Sequence, residues 1–154
     1  MQFIKIQYFL LSFILIALLC GCSSLNIQSA SERENIQNIV SKAENSKLII
    51  LDVYHNRCET CKFIEPVFEK LQSDYTKNPD TVFLKYDLSN PFTVIRSRNI
   101  AKALGLESIY KAQRYSGVVL FIDSKTKQVV DTLIGEDRIE QYNKIIKERL
   151  NPDA

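Results

Sequence analysis

The stretch LIILDVYHNRCETCKFIEPVFEKL, residues 48–71, places two cysteines where a mostly apolar run meets a helix-like pattern. The run before Cys58 is bounded by polar residues and is typical of a buried central strand. After Cys61, apolar residues recur at helical spacing along one face. A thiol at the start of a helix faces unpaired backbone N–H groups and the positive helix end, which both stabilise a thiolate. We therefore expect a lowered pKa for Cys58, with Cys61 one turn further in and able to attack a mixed disulfide formed at Cys58.

The spacing of this pair is compatible with three uses: a redox couple, two ligands of a metal, or a structural disulfide. A disulfide across so short a ring removes little entropy from the unfolded chain, which disfavours the structural use. Half of many zinc sites has the same spacing, but thiolate-bound metal generally needs three or four ligands. For zinc or copper, only His55, the single histidine, and nearby acids could supply the others.

The overall composition indicates one globular domain in the 154 residues, with 45% hydrophobic and 25% charged residues. A net charge of +2 gives no indication of a nucleic-acid partner. The single histidine excludes mechanisms that need two, and no glycine-rich phosphate loop is present. No cofactor is predicted.

The N-terminal segment has the pattern of an export signal: Lys5, an apolar run shorter than a membrane span, then small residues. LCGC, residues 19–22, resembles the bacterial lipobox, which implies a signal peptide over 1–21 and lipidation of Cys22. The polar residues after it predict a lipidated tether over 22–31. Ser23 replaces the aspartate associated with inner-membrane retention, which favours the outer membrane. Cys20 would leave with the signal, so only the pair at 58 and 61 would remain in the folded body.

The rest of the chain alternates between helical and strand-like patterns. Ser31 and Glu34 form a capping-box pattern before a predicted helix over 32–45. Strands are predicted within 47–55, 81–88, 117–123 and 128–135, the last two as a hairpin, and helices over 59–75, 92–105 and 137–150. This order predicts an α/β fold with a central mixed sheet of about four to five strands and helices on both faces. The domain is predicted over 32–150, with a short tail at 151–154.

The segment LDVYHNRCETCKFIEPVF resembles the active-site segment of thioredoxin-like proteins, and the similarity extends over roughly residues 32–150. The resemblance implies a thioredoxin-like fold and thiol–disulfide exchange with protein clients, supported by an electron donor or acceptor. The residues that match the family pattern are Asp52 as its buried acid, Lys62 after the second cysteine, Pro66 in the helix and Lys85 beside the acid. The predicted catalytic set is Cys58, Cys61, Asp52 and Lys85.

Two departures from the family pattern affect the predicted substrate-facing surface. Arg57 stands where a tryptophan is common, and the stretch LESIYKAQRYSGVVLF lacks the proline that the family places opposite the cysteines. Ser116 lies nearest that position, and the loop before it is longer than in the family. The residues predicted to face a substrate are Arg57, Tyr115, Ser116 and Gly117, with Tyr110, Lys111 and Arg114 supplying aromatic area and charge to the loop.

These features together predict a lipid-anchored, monomeric thiol–disulfide oxidoreductase at the periplasmic face of a bacterial cell envelope. Two alternatives stay open. One is a lipoprotein that keeps the fold for binding without catalysis, and the other is a copper or zinc module at Cys58 and Cys61.

Overall fold

The computed structural model describes residues 23–151. The predicted signal peptide, the predicted lipid acceptor Cys22 and the last residues of the predicted tail, 152–154, lie outside the described residues. The helices are α1 (Ser23–Asn45), α2 (Glu59–Asp74), α3 (Pro91–Ala103), α4 (Glu107–Ala112) and α5 (Ile139–Leu150). The strands are β1 (Leu48–Tyr54), β2 (Thr81–Asp87), β3 (Val118–Asp123) and β4 (Val129–Ile134). The chain divides into two compact units after Gln37, and the unit that begins at Asn38 contains the sheet.

The first helix differs from its prediction at its start. It begins at Ser23 rather than at 32, so Ser31 lies inside the helix and the predicted capping box is wrong. Residues 23–30, predicted as a tether, contain neither glycine nor proline and therefore nothing that interrupts a helix. The C-terminal end agrees with the prediction, at Asn45.

The sheet has four strands in the order β2-β1-β3-β4. β1 is parallel to β2 and antiparallel to β3, while β3 and β4 form the predicted antiparallel hairpin. This mixed sheet flanked by helices confirms the predicted α/β class. β1 is buried along almost its whole length, as its apolar run predicts for a central strand.

The core separates according to the alternation of side chains along β1. Leu48 and Ile50 belong to an apolar cluster that includes residues of α2, β3 and α5, such as Phe68, Phe121 and Tyr142. The alternating residues of β1 between them point to the opposite face, because successive strand side chains do. Asp52 has the same parity as Leu48 and Ile50, and so faces the side that α2 covers.

Helix α4 is the element that the sequence analysis missed. It occupies 107–112, within the stretch predicted as an inserted loop. Its Tyr110 ring packs edge-on against the buried Tyr86 of β2, with the ring centroids 5.1 Å apart. Six residues without a side-chain cap are too few for a helical period to stand out, so this contact and the burial of Leu106 stabilise the turn.

Within residues 23–151, none of the helices is long and apolar enough to cross a membrane.

Candidate active site

Cys58 is the N-cap residue of α2, at the junction with the strand that precedes it. Its backbone is extended (φ −93°, ψ 112°), and its sulfur accepts a hydrogen bond from the backbone N–H of Cys61 at 3.1 Å. A sulfur at this position satisfies one of the unpaired donors at the start of the helix. Burial raises the pKa of the Cys58 thiol, but hydrogen bonds from the Cys61 and Ser116 side chains and from the Cys61 N–H bring it below its ordinary value.

Cys61 lies one turn further along α2 and is only 1% exposed, whereas Cys58 is partly exposed. Its sulfur lies 4.0 Å from the carbonyl oxygen of Val53 in β1. Burial and the hydrogen bond with Cys58 raise the pKa of the Cys61 thiol. The two thiols therefore differ as disulfide exchange in two steps requires. Cys58 is accessible and acidic, whereas Cys61 is shielded and protonated.

The backbones of Gly117 and Gly135 pass close to the start of α2 and form a surface there, the backbone wall. Gly117 has φ +78°, and its N–H donates to the Val53 carbonyl at 2.9 Å. A Cβ added at Gly117 would lie 3.0 Å from the Thr60 side chain and 3.4 Å from the Cys58 sulfur. Gly135, also at positive φ, donates to the Gly117 carbonyl, and a Cβ there would lie 3.3 Å from Thr60. Glycine is required here both by conformation and by the close approach.

The predicted substrate-facing residues differ in exposure. Tyr115 is 79% exposed, Arg57 is exposed and Ser116 is half-buried. Hydrogen bonding from the Ser116 side chain acts to lower the pKa of both cysteine thiols, which places this residue beside the dithiol. The Arg57 N–H donates to Nδ1 of His55 at 3.0 Å, which gives this histidine a local role in shaping the loop.

Asp52 is buried beneath the dithiol, at 1% exposure. Neither of its carboxyl oxygens has a hydrogen-bond partner within the described residues. Burial raises its pKa to about 6, opposed by the positive charge of Lys85 and assisted by Glu65 and Asp87. An unpaired buried carboxyl of this kind can accept and release a proton near neutral pH.

Lys85 is the register neighbour of Asp52, on β2, as the resemblance implies. However, its ammonium binds Glu65 of α2, with the Nζ and Oε1 atoms 2.9 Å apart, and lies 4.4 Å from the centre of the Tyr54 ring. Glu65 is a site residue that the sequence analysis missed. The available signal was its position four residues after Cys61, which is one helical turn.

The metal alternative requires further ligands beside Cys58 and Cys61. Within the described part of the chain, no group of three or more His, Cys, Asp and Glu side chains is placed to hold a metal ion.

Lys62, after the second cysteine, forms an exposed ion pair with Glu59 at 2.7 Å.

Known proteins similar to this chain include several thioredoxins. A family model described as Thioredoxin matches residues 28–109. Thioredoxin H4 of Arabidopsis thaliana is 27% identical over 104 residues, which cover 68% of this chain and 73% of that protein. The chloroplastic Thioredoxin F1 of the same plant is 39% identical over 93 residues, which cover 58% of this chain and 48% of that protein, about half its length. Among solved structures, the reduced thioredoxin pre-protein of Schistosoma mansoni aligns with a TM-score of 0.47 and 19% identity, over 74% of this chain and 89% of that chain.

Proposed function

The chain belongs to the thioredoxin family, as a redox protein with a Cys58–Cys61 pair, and from that premise we propose that it exchanges disulfides with protein clients while tethered to a bacterial envelope membrane. The observation that carries the proposal is the unequal environment of the two thiols. Cys58 is accessible, with its sulfur at the start of α2, whereas Cys61 is buried behind it.

The exchange proceeds in two steps. The Cys58 thiolate attacks one sulfur of a client disulfide, forming a mixed disulfide and releasing the other client sulfur as a thiolate. The Cys61 thiol then loses its proton to the Asp52 carboxylate and attacks the Cys58 sulfur. The bond between Cys58 and the client breaks, and the second client sulfur leaves as a thiolate. Two protein thiols are thereby oxidised to one disulfide and the client disulfide is reduced to two thiols; the reverse sequence oxidises a client.

The backbone wall in front of the dithiol supports this use. Gly117 brings main chain so close to the start of α2 that an added Cβ would lie 3.4 Å from the Cys58 sulfur. A client segment must reach Cys58 along this surface, next to the exposed Tyr115 ring. Aromatic area of this kind contributes strongly to protein recognition.

A redox titration of the full chain in mild detergent tests the proposed exchange. We expect Cys58 and Cys61 to convert together between dithiol and disulfide as the ratio of reduced to oxidised dithiothreitol is varied, because both sulfurs share one two-electron couple. Alkylation with a mass-adding maleimide before electrophoresis measures the reduced fraction. The double Cys58→Ser, Cys61→Ser variant supplies the baseline, because any label that it takes up comes from the other two cysteines. A pair that stays reduced at every ratio would contradict the proposal and favour a binding protein without catalysis.

The proposed anchor is lipid on Cys22, and the Ser23 that follows favours the outer membrane. Two or three acyl chains hold a small domain firmly, since each buried methylene contributes about 0.8 kcal/mol. We expect a palmitate analogue to label the wild-type protein in growing bacterial cells and Cys22→Ala to lose the label. Cys20→Ala is the matched control, because that residue is proposed to leave with the signal peptide, and it should keep the label. A labelled Cys22→Ala protein would refute the anchor but not the exchange chemistry.

A further inference from the structure

Lys85 has two acids within its reach and pairs with only one of them. Asp52 is directly opposite it in the register of β1 and β2, on the same face of the sheet. Glu65 of α2 binds the ammonium, with the Nζ and Oε1 atoms 2.9 Å apart, and the same Nζ lies 4.4 Å from the centre of the Tyr54 ring. The Lys85 and Glu65 side chains are each 34% exposed, so the pair lies at the edge of the covered face rather than inside it.

Asp52, by contrast, is left without a partner in the interior. Burying an unpaired carboxylate costs several kcal/mol unless the group takes up a proton or finds a cation. Among the described residues, the cation that acts on the Asp52 carboxyl is Lys85, which Glu65 holds. Titratable groups from the neighbouring strands and helices surround Asp52. They are Tyr54 of β1, Lys85 and Asp87 of β2, Cys58, Cys61 and Glu65 of α2, and Tyr142 of α5.

We propose that Glu65 is a positioning residue that holds the Lys85 ammonium away from Asp52, so that the buried carboxyl stays unpaired and able to exchange a proton with Cys61. The inference rests on the proposed disulfide exchange and adds a residue to it. If Lys85 turned to Asp52, the carboxylate would be stabilised as an anion and become a weaker base towards a thiol that burial keeps protonated. Glu65 thus tunes the second step of the exchange without touching the client.

The test compares full-length wild type with Glu65→Gln, which removes the charge and keeps the size. Reaction with 5,5′-dithiobis(2-nitrobenzoate) places one nitrothiobenzoate on Cys58, and attack by Cys61 then releases it in a second, coloured phase. In Glu65→Gln we expect the acid limb of this second phase to move to lower pH by about one unit, because a nearby opposite charge lowers a carboxyl pKa by that order. The plateau rate should fall about threefold, as a base weaker by one unit implies.

A direct titration of Asp52 provides a readout that does not depend on activity. Carbon-13 NMR of protein labelled at aspartate carboxyls, assigned with Asp52→Asn, should show the Asp52 midpoint falling by the same amount in Glu65→Gln. Glu65→Asp restores the charge and should return the midpoint towards the wild-type value. Glu69→Gln is the matched control, since Glu69 is an exposed glutamate one turn further along α2, and it should change neither readout.

The route of the effect is tested in a Lys85→Met background. If Glu65 acts by holding the ammonium, Glu65→Gln should shift the Asp52 midpoint there by less than half as much as in the wild type. An equal shift in both backgrounds, or no shift in either, would overturn the proposal. Absence of the second phase in the wild type would instead refute the proposed exchange, and the NMR midpoints would still decide the role of Glu65.

Discussion

Cys58→Ser is expected to abolish disulfide exchange, and Cys61→Ser to accumulate mixed disulfides with clients. Of the two cysteines that the structure describes, Cys58 is the one whose sulfur combines access with hydrogen bonds that stabilise its thiolate. A hydroxyl in its place should therefore lower insulin reduction by about a thousandfold or more. In Cys61→Ser the first step still occurs, but no second thiol is left to attack the mixed disulfide at Cys58 and release the client. The measurements are insulin turbidity and non-reducing electrophoresis of trapped adducts.

The Cys58→Ser variant is a favourable one for this comparison, because serine is among the preferred N-cap residues. Its hydroxyl can accept the same N–H that the Cys58 sulfur accepts, so α2 should keep its cap and the protein its fold. Thermal unfolding of both variants serves as the check. If both single variants reduced insulin at the wild-type rate, the Cys58–Cys61 pair would not be the active site.

The second large effect concerns stability, and we expect Asp52→Ala to become more stabilising, relative to wild type, as pH rises. The Asp52 pKa is about 6 in the folded protein against 3.8 for the ordinary group. Between these values the folded protein binds more protons than the unfolded chain, so wild-type stability falls as pH increases through this window and then levels off. The displacement corresponds to about 3 kcal/mol.

Urea unfolding of the reduced protein at about pH 4 and about pH 7, on either side of most of the window, measures the effect. The free energy of unfolding of Asp52→Ala minus that of wild type should increase by about 2–3 kcal/mol between the two conditions. Truncation also leaves a small cavity, but its cost is the same at both pH values and cancels from the comparison. Asp137→Ala removes an exposed aspartate and should show no such increase; a flat difference for Asp52→Ala would mean that its carboxyl is solvated or paired.

Local patterns were sufficient to predict much of the fold and the position of Cys58 at the start of α2. The apolar run before Cys58 indicated the central strand, the change of period after it indicated α2, and the junction between them placed Cys58 at the N-cap. These features depend on residues adjacent in the chain, so a one-dimensional pattern is sufficient to reveal them. The predicted start of α1 is wrong because Ser31 and Glu34 match a capping box by chance, while no helix breaker precedes them. The lipidation of Cys22 stays a prediction.

What the sequence determined by itself is therefore the strand–helix junction that carries Cys58 and Cys61, and the class of fold around it. The partner of Lys85 depends instead on three-dimensional packing, because Asp52 and Glu65 lie on different elements and compete for one ammonium. The same holds for Gly117 and Gly135, whose contact with Thr60 joins segments far apart in the chain. It holds as well for α4, whose six residues are stabilised by Tyr86 and not by their own period. In each case the deciding free energy comes from a contact between residues that are distant in sequence, which no local pattern contains.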